Sequence, residues 1–482
     1  MYKTPGVYVE EIATLPPSVA EVETAIPVFI GFTEKGPRNV PQRISSLVEY
    51  QLYFGKALPE VNFSVSIQKD NTISVSVDKN ARSKFIMFYA MQLYFANGGG
   101  PCYIVSVGNF DAATPGNDVY KAAMDAVAKE DEPTLLVFPD APYLIPNTYN
   151  NLIVDALEQC RVLGDRFVII DVLANGDETN MRADSEAFRA IPVSPEQAKY
   201  GAAYYPNVST AIPYIFDEAK INVNVPVEPK PAVAAAVTTV EPTEETGRTD
   251  EPRTTRRERA AATEKPNLIP FNSLNNAQQN LVRLKIRDEG VELYPSAAIA
   301  GVYARVDSSR GVWKAPANEA LNYVKAPLIK ITDAEQMDLN IHESGKSINA
   351  IRAFTGKGTK IWGARTLSGN DNEWRYVNIR RFFNMVEESV KKSTSWAVFE
   401  PNDINTWTKV RAMIENYLIL KWKDGALAGA KPVEAFFVRV GLGQTMSAQD
   451  VLEGRMIVEI GLAVVRPAEF IILKFSHKLQ VS

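Results

Sequence analysis

Between residues 102 and 173 the chain alternates strand and helix at short, regular intervals, and this alternation limits the fold more than any other feature. The run from Cys102 to Val107 is apolar and β-rich, and residues 117–130 follow at helical spacing with Asn117 or Asp118 as the expected cap. Residues 134–140 (TLLVFPD) and 166–173 (RFVIIDVL) are further apolar runs, separated by a helical stretch over 148–163. Strands joined through helices of this length pair in parallel, so the pattern predicts βαβ units and a largely parallel sheet. Ile26 to Phe32 predicts one more buried strand, and residues 44–54 a helix capped by Ser45 or Ser46. Residues 84–96 (KFIMFYAMQLYFA) predict an apolar helix stopped by Asn97-Gly98-Gly99-Gly100-Pro101. Residues 297–307 read as a late strand or helix of the same domain.

Three regions depart from this pattern. Residues 61–77 alternate strictly, with Val61, Phe63, Val65 and Ile67 before a polar turn and Ile73, Val75 and Val77 after it, which predicts an inserted β-hairpin. Residues 221–270 carry seven prolines among Thr, Glu and Ala and predict a flexible surface insertion, because such a composition cannot bury enough apolar area to offset its ordering entropy. Residues 346–482 read as a separate α+β unit, with helices within 374–399 and 404–427 and strands within 358–367, 434–441, 455–465 and 468–475. The first residues, broken by Pro5, Pro16 and Pro17, predict an extended arm.

Composition narrows the chemistry. The chain has 482 residues, a formal net charge of −5 and no strong basic excess, which argues against a nucleic-acid footprint. The cluster Arg253, Arg256, Arg257 and Arg259 sits among acids and reads as a solvated polyampholyte. Cys102 and Cys160 cannot build a disulfide framework. The opening MYKTPGVYVEEI has no basic region followed by an apolar stretch, and no apolar run reaches the ~18 residues of a membrane helix, so synthesis in the cytoplasm without a signal peptide and no membrane insertion are expected. His342 and His477 are the two histidines, and neither sits in a nucleophile motif. Asn340 to Ser347 ends like a phosphate-binding loop but has Asn340 where glycine is required. Asp140 and Asp171 fall at the carboxyl ends of expected strands, where α/β enzymes place their sites, and define the alternative reading of an α/β enzyme. The residues therefore support no catalytic centre, no cofactor and no metal site.

The remaining signal lies in segments that resemble contractile phage tail sheath proteins. These are Tyr2 to Glu11 (YKTPGVYVEE), Ile26 to Pro37 (IPVFIGFTEKGP), Tyr94 to Tyr103, Gly301 to Asp307, Gly311 to Asn318, Trp362 to Thr366, Arg375 to Arg381 and Phe437 to Gly441, in the family's order. The chain looks most like the sheath subunits of extracellular contractile injection systems, with a bacteriophage tail sheath as the alternative.

The resemblance implies an outer α/β domain (23–345) inserted between an N-terminal linking arm (1–22) and a conserved inner α+β sheath domain (346–482) that ends in a linking strand. It implies a structural subunit and not an enzyme. Such subunits polymerise as stacked hexameric rings in a helical sheath around an inner tube, and contraction drives the tube through a target envelope. It implies extended termini that complete neighbours' sheets, here through Gly6, Val7, Tyr8 and Val9 and through Phe470, Ile471, Ile472 and Leu473. The implied partners are the chain itself, an inner tube protein, baseplate and terminal cap proteins, and sister sheath proteins, in a particle assembled in the bacterial cytoplasm and released outside the cell or carried as a virion tail. Lys421, Lys423 and Lys431 flank the turn after the second helix of the last unit, where an exposed basic turn would suit an acidic tube.

Overall fold

The predicted alternation builds a nine-stranded sheet in a computed structural model that describes residues 18–68, 70–79, 81–111, 116–174, 181–226 and 267–472. Its strands are β1 (Pro27–Phe32), β2 (Gln42–Ile44), β3 (Cys102–Gly108), β4 (Leu135–Val137), β5 (Phe167–Asp171), β6 (Gly201–Tyr205), β7 (Glu319–Ala320), β8 (Ile348–Phe354) and β9 (Gly358–Trp362). They lie in the order β7-β9-β8-β6-β5-β4-β1-β3-β2. The six strands from β8 to β3 are parallel, and antiparallel strands close both edges. Every residue of β1, β4, β5 and β6 is buried, as expected for a sheet covered on both faces.

The covering helices follow from local signals. Helix α1 (Leu47–Phe54) starts at Ser46, whose hydroxyl accepts from the Glu49 amide. Helix α2 (Met87–Ala96) ends at the predicted Asn97-Gly98 stop. Helix α3 (Asn117–Val127) begins after Gly116 without a side-chain cap, so neither Asn117 nor Asp118 plays the expected part. Helix α4 (Tyr149–Leu163) closes on Gly164 in the left-handed region. Residues 297–307 are helical, within α5 (Ser296–Arg310). A Cβ at Gly301 would lie 2.5 Å from the Tyr94 carbonyl, so α5 approaches α2 this closely because residue 301 is glycine.

A second core lies beyond the sheet in the same compact unit. Helices α6 (Val377–Ser393) and α7 (Ile404–Lys423) bury Phe382, Val386, Val410, Ile414 and Leu418 together with Val312 and Val19. The boundary expected after residue 345 therefore falls inside the large sheet, because β8 pairs with β6 and carries β9 with it. The distinct C-terminal core begins near Val377 instead.

Residues 59–82 and 213–290 form the other compact unit. The predicted hairpin is present as Phe63–Ile67 against Ile73–Val77. It belongs to a four-stranded sheet with Asn222–Asn224 and Leu268–Pro270, covered by the helix Asn276–Glu289. The two ends of the expected 221–270 loop are thus paired strands, and residues 227–266 lie outside the described residues.

Asp140 and Asp171 mark the carboxyl ends of the parallel strands. The strand order reverses beside β1, where open α/β sheets place their ligand crevice. In this chain Asp140 fills that point. Its carboxylate accepts from the Phe32 amide at 2.7 Å and from the Tyr120 hydroxyl at 2.9 Å, and lies 2.7 Å from where a Gly31 Cβ would stand. Asp171 accepts from the Ser296 amide at 2.9 Å, at the first turn of α5. Both are at most 1% exposed, which leaves neither open to a substrate.

Burial pushes each carboxyl up to about 7, against the hydrogen bonds that favour its charge. The folded chain therefore holds protons that the unfolded chain has released between pH ~4 and ~7, and stability from these groups falls as pH rises through that window. Asp140→Asn and Asp171→Asn remove this term. Thermal unfolding of the double variant is expected to gain on the wild type steadily from pH 4.5 to 7.5, and a constant difference would show that the two carboxyls stay ionised in the fold.

Candidate assembly surface

Both ends of the described chain are fixed by specific polar contacts, the N-terminal side to the C-terminal core and the C-terminal side to residues 340–376. At the N-terminal side, the Ala20 and Val22 amides donate to Ser393 Oγ and Ser389 Oγ on α6, at 3.0 and 3.1 Å. Val19 is buried in the core beneath them. Thr24 Oγ1 donates to Asp307 Oδ2 at 2.6 Å, and its carbonyl accepts from Arg381 at 2.9 Å. Arg381 on α6 makes a two-pronged ion pair with Asp307 on α5, and both side chains are at most 6% exposed. The guanidinium also lies 4.5 Å over the Tyr303 ring, whose hydroxyl bonds Tyr204 in β6.

At the C-terminal side the fixing group is Glu469. Its two oxygens take Arg365 Nε and Nη2 at 2.9 and 2.6 Å, Asn340 Nδ2 at 2.9 Å and the Tyr376 hydroxyl at 3.0 Å. Burial alone would raise this carboxyl, but the Arg365 and Asn340 hydrogen bonds outweigh it and hold it below the usual range. The next three residues, Phe470, Ile471 and Ile472, are 66%, 80% and 79% exposed. Three consecutive large apolar side chains thus stand in solvent directly after a partly buried clasp. The strand expected over 468–475 is not formed in the single chain over 468–472, and Leu473 lies outside the described residues, as do Gly6, Val7, Tyr8 and Val9.

A receiving surface stands on the same core. Strands β10 (Phe436–Arg439) and β11 (Glu459–Leu462) form an antiparallel ribbon, and among the described residues this sheet has no other strand. A two-stranded ribbon is marginal by itself and leaves both edges open to pairing. The Phe437 ring covers Gly461 on the facing strand, where a Cβ would come within 2.2 Å of it. Arg439 lies 4.4 Å over the same ring. Beside β10 runs a groove of about 710 Å3, lined by Arg411, Glu415 and Ile419 of α7, by Val433, and by the whole of β10.

The lysines of the following turn separate. Lys423 and Lys431 are exposed, but Lys421 is buried. Its amine pairs with Glu21 at 2.5 Å and Asp424 at 3.3 Å and lies over Trp313 and Tyr417. It fastens the N-terminal segment, so the basic turn presents two lysines and not three. The loop at 340–347 is no phosphate cradle. A strand follows it in place of a helix, and the Lys346 amine is held by the carbonyls of Arg189 and Ile191. Sequence reasoning missed Glu469, Arg365 and Asp307 as a fixing set; the signal available was that Arg365, Asp307 and Arg381 all lie in the segments that carry the family resemblance.

The family described as the phage tail sheath C-terminal domain matches residues 369–478. The tail sheath protein of Enterobacteria phage T4 is 29% identical over 127 residues, which is 26% of this chain and 18% of that protein. The chain thus spans less than a fifth of this curated relative. Several solved structures match nearly end to end, among them the following two. The PVC sheath complex of an extracellular contractile injection system, in its contracted state, is 30% identical with a TM-score of 0.64, over 99% of this chain and 98% of that one. A chain of the six-fold symmetrised baseplate of the anti-feeding prophage is 31% identical with a TM-score of 0.61, over 99% and 100%.

Glu469→Ala leaves the buried Arg365 without its carboxylate, a loss of about 1.5–3 kcal/mol on the scale of hydrogen bonds to a charged group, since Glu469 itself is partly exposed. The expected result is an intact core with a lowered melting temperature and fast hydrogen exchange confined to 463–472. Unchanged exchange in that segment would show that the clasp does not hold it.

Proposed function

We propose that this chain, which belongs to the contractile tail sheath family, is a structural subunit that polymerises as stacked hexameric rings in a helical sheath around an inner tube and contracts to drive that tube through a target envelope. The observation that carries the reading is the pairing, on one subunit, of an open ribbon with an exposed apolar segment rooted at Glu469. The surface that offers a strand and the surface that accepts one are different, so the contact is heterologous and repeats into an open helical assembly. Main-chain hydrogen bonds supply the joint and alternate side chains select it. The acceptor is the β10–β11 ribbon of a neighbour, and the donors are Gly6 to Val9 at one end and Phe470 to Leu473 at the other.

The remaining partners follow from this role: a tube protein inside, a baseplate and a cap at the ends, and sister sheath proteins along the tube. Neither nucleotide nor cofactor has a part. Contraction draws on two packings of the same subunits that differ in free energy, the higher one being trapped at assembly. The similarity to injection-system sheaths along the whole chain supports a particle that works outside the producing cell, assembled first in the bacterial cytoplasm. Among the described residues no helix is long and apolar enough to cross a membrane. The enzyme reading through Asp140 and Asp171 is disfavoured because both carboxylates are buried and occupied by backbone amides.

Each main-chain hydrogen bond nets about 0.5–1.5 kcal/mol, so a strand of several residues supplies a few kcal/mol per link, repeated at every subunit. Deleting residues 1–15 is expected to leave a monomer that unfolds cooperatively near the wild-type temperature but forms no continuous tube by negative-stain electron microscopy. Normal tubes from the truncated chain would refute the linking role. For the inner wall, reversing Lys423 and Lys431 to Glu is expected to weaken co-assembly with the tube protein, by an amount that shrinks as salt rises. Co-assembly unchanged at low salt would remove these lysines from the contact.

A further inference from the structure

Two helices of the large unit carry apolar stripes to solvent, and neither the chain ends nor the ribbon uses them. Helix α1 exposes Val48 and Leu52, four residues apart on one face, to 75% and 65%. The helix Asp333–Asn340 exposes Met337, and Ile341 one turn further on, to 70% and 53%. A surface helix ordinarily turns residues of this kind toward its own core, so a stripe of them facing out is a candidate contact. The stripes stand toward opposite sides of the nine-stranded sheet. Helix α1 follows β2, the edge strand on one side. The second helix lies against β8 and β9, where Gln336 Nε2 donates to the Trp362 carbonyl at 2.8 Å and Arg352 pairs with Asp333 at 2.6 Å. Between β2 and β8 lie six strand spacings. At about 4.8 Å each they hold the stripes roughly 30 Å apart, so the two cannot cover each other within one chain.

The rims of the two stripes differ in charge. Residues 35–56 carry Lys35, Arg38, Arg43 and Lys56 against one acid, Glu49. That acid is turned back onto the Ser45 amide at 2.6 Å, and Glu34 nearby onto the Lys56 amide at 2.7 Å. Lys35, Arg38 and Lys56 are exposed. Residues 332–343 carry Asp333, Glu335, Asp338 and Glu343 and no lysine or arginine. Asp333, Asp338 and Glu343 are exposed, whereas the arginines that reach the first two, Arg352 and Arg189, are 15% and 2% exposed. The solvent side of this rim is therefore acidic.

Resting on the sheath reading, we infer that α1 of one copy docks on the helix Asp333–Asn340 of a second copy, with Val48 and Leu52 against Met337 and Ile341 and the basic rim against the acidic one. Apolar burial supplies the attraction, and the charges set register and partner. Two α1 stripes brought together would oppose like charges, and so would two acidic stripes, so the contact is heterologous and runs from one side of a sheet to the other side of the next. It is made by helices of the folded body and needs neither end of the chain, which separates it from the strand exchange at the ribbon.

The test uses full-length chains. Cys102 and Cys160 are buried and do not compete with introduced thiols. One population carries Leu52→Cys, a second carries Met337→Cys, and the two are mixed, assembled and oxidised. A covalent heterodimer of the two populations supports the contact. Its yield is expected to fall about tenfold when the first population also carries Lys35→Glu and Lys56→Glu, the scale of two exposed pairs lost and made repulsive. Adding Asp333→Lys and Glu343→Lys to the second population is expected to restore it, and raised salt to weaken both effects. Tubes without the Leu52–Met337 link, or with Leu52–Leu52 links between copies, overturn the contact and leave the sheath reading intact. A yield that ignores the charge reversals overturns the pairing of the rims. The Leu52–Met337 link in a chain that forms no tubes under any condition keeps the contact and overturns the sheath reading.

Discussion

The ion pair between Arg381 and Asp307 is the contact on which the rest of the molecule depends. It joins three parts of the chain that are far apart in sequence: α6 of the C-terminal core, α5 on the large sheet, and the N-terminal segment through Thr24. Tyr303 and Tyr204 extend the connection into the centre of the sheet. Removing one member of such a pair costs about 3–5 kcal/mol, because the other is left charged in an apolar setting. The placement of the first described residues and the orientation of the second core are thus determined together. Lys421 repeats the arrangement on a smaller scale by holding Glu21 from the end of α7.

Rigid roots and free ends suit a polymer that must rearrange without dissociating. The contacts of Glu469 with Arg365, Asn340 and Tyr376 fix the point at which the last described residues leave the body of the subunit. Packed cores and interfaces move between discrete arrangements rather than deforming continuously, so a helical array of such subunits can hold two states. Asp140 belongs to the same logic. Its carboxyl group fills the point where open α/β sheets bind ligands and is buried there by hydrogen bonds from the Phe32 amide and the Tyr120 hydroxyl.

Much of this was legible in the sequence, for identifiable reasons. Alternating apolar runs and helices gave the parallel sheet, because burial on both faces forces continuous apolar strands such as Phe167 to Asp171. The hairpin at 61–77 followed from strict two-residue periodicity. That β8 and β9 continue the large sheet after residue 345 is not legible locally, because strand pairing across such sequence distances leaves no local mark. The helix at 297–307 was ambiguous because it is buried on nearly all sides, which erases its periodicity. Lys421 was misjudged for a similar reason, since only the fold brings Glu21, Trp313 and Tyr417 around it. The clasp at Glu469 uses Arg365, Asn340 and Tyr376, and no spacing rule relates these positions.

The central claim is that the ends of one chain complete the ribbon of another. Cross-linking mass spectrometry on tubes grown from an equal mixture of 14N- and 15N-labelled subunits addresses it directly. The account predicts that cross-links from the terminal segments to residues 436–462 carry mixed isotopes, in the proportion expected for random neighbours. Cross-links at those positions found only within single-isotope pairs would place both strands on their own subunit and contradict it.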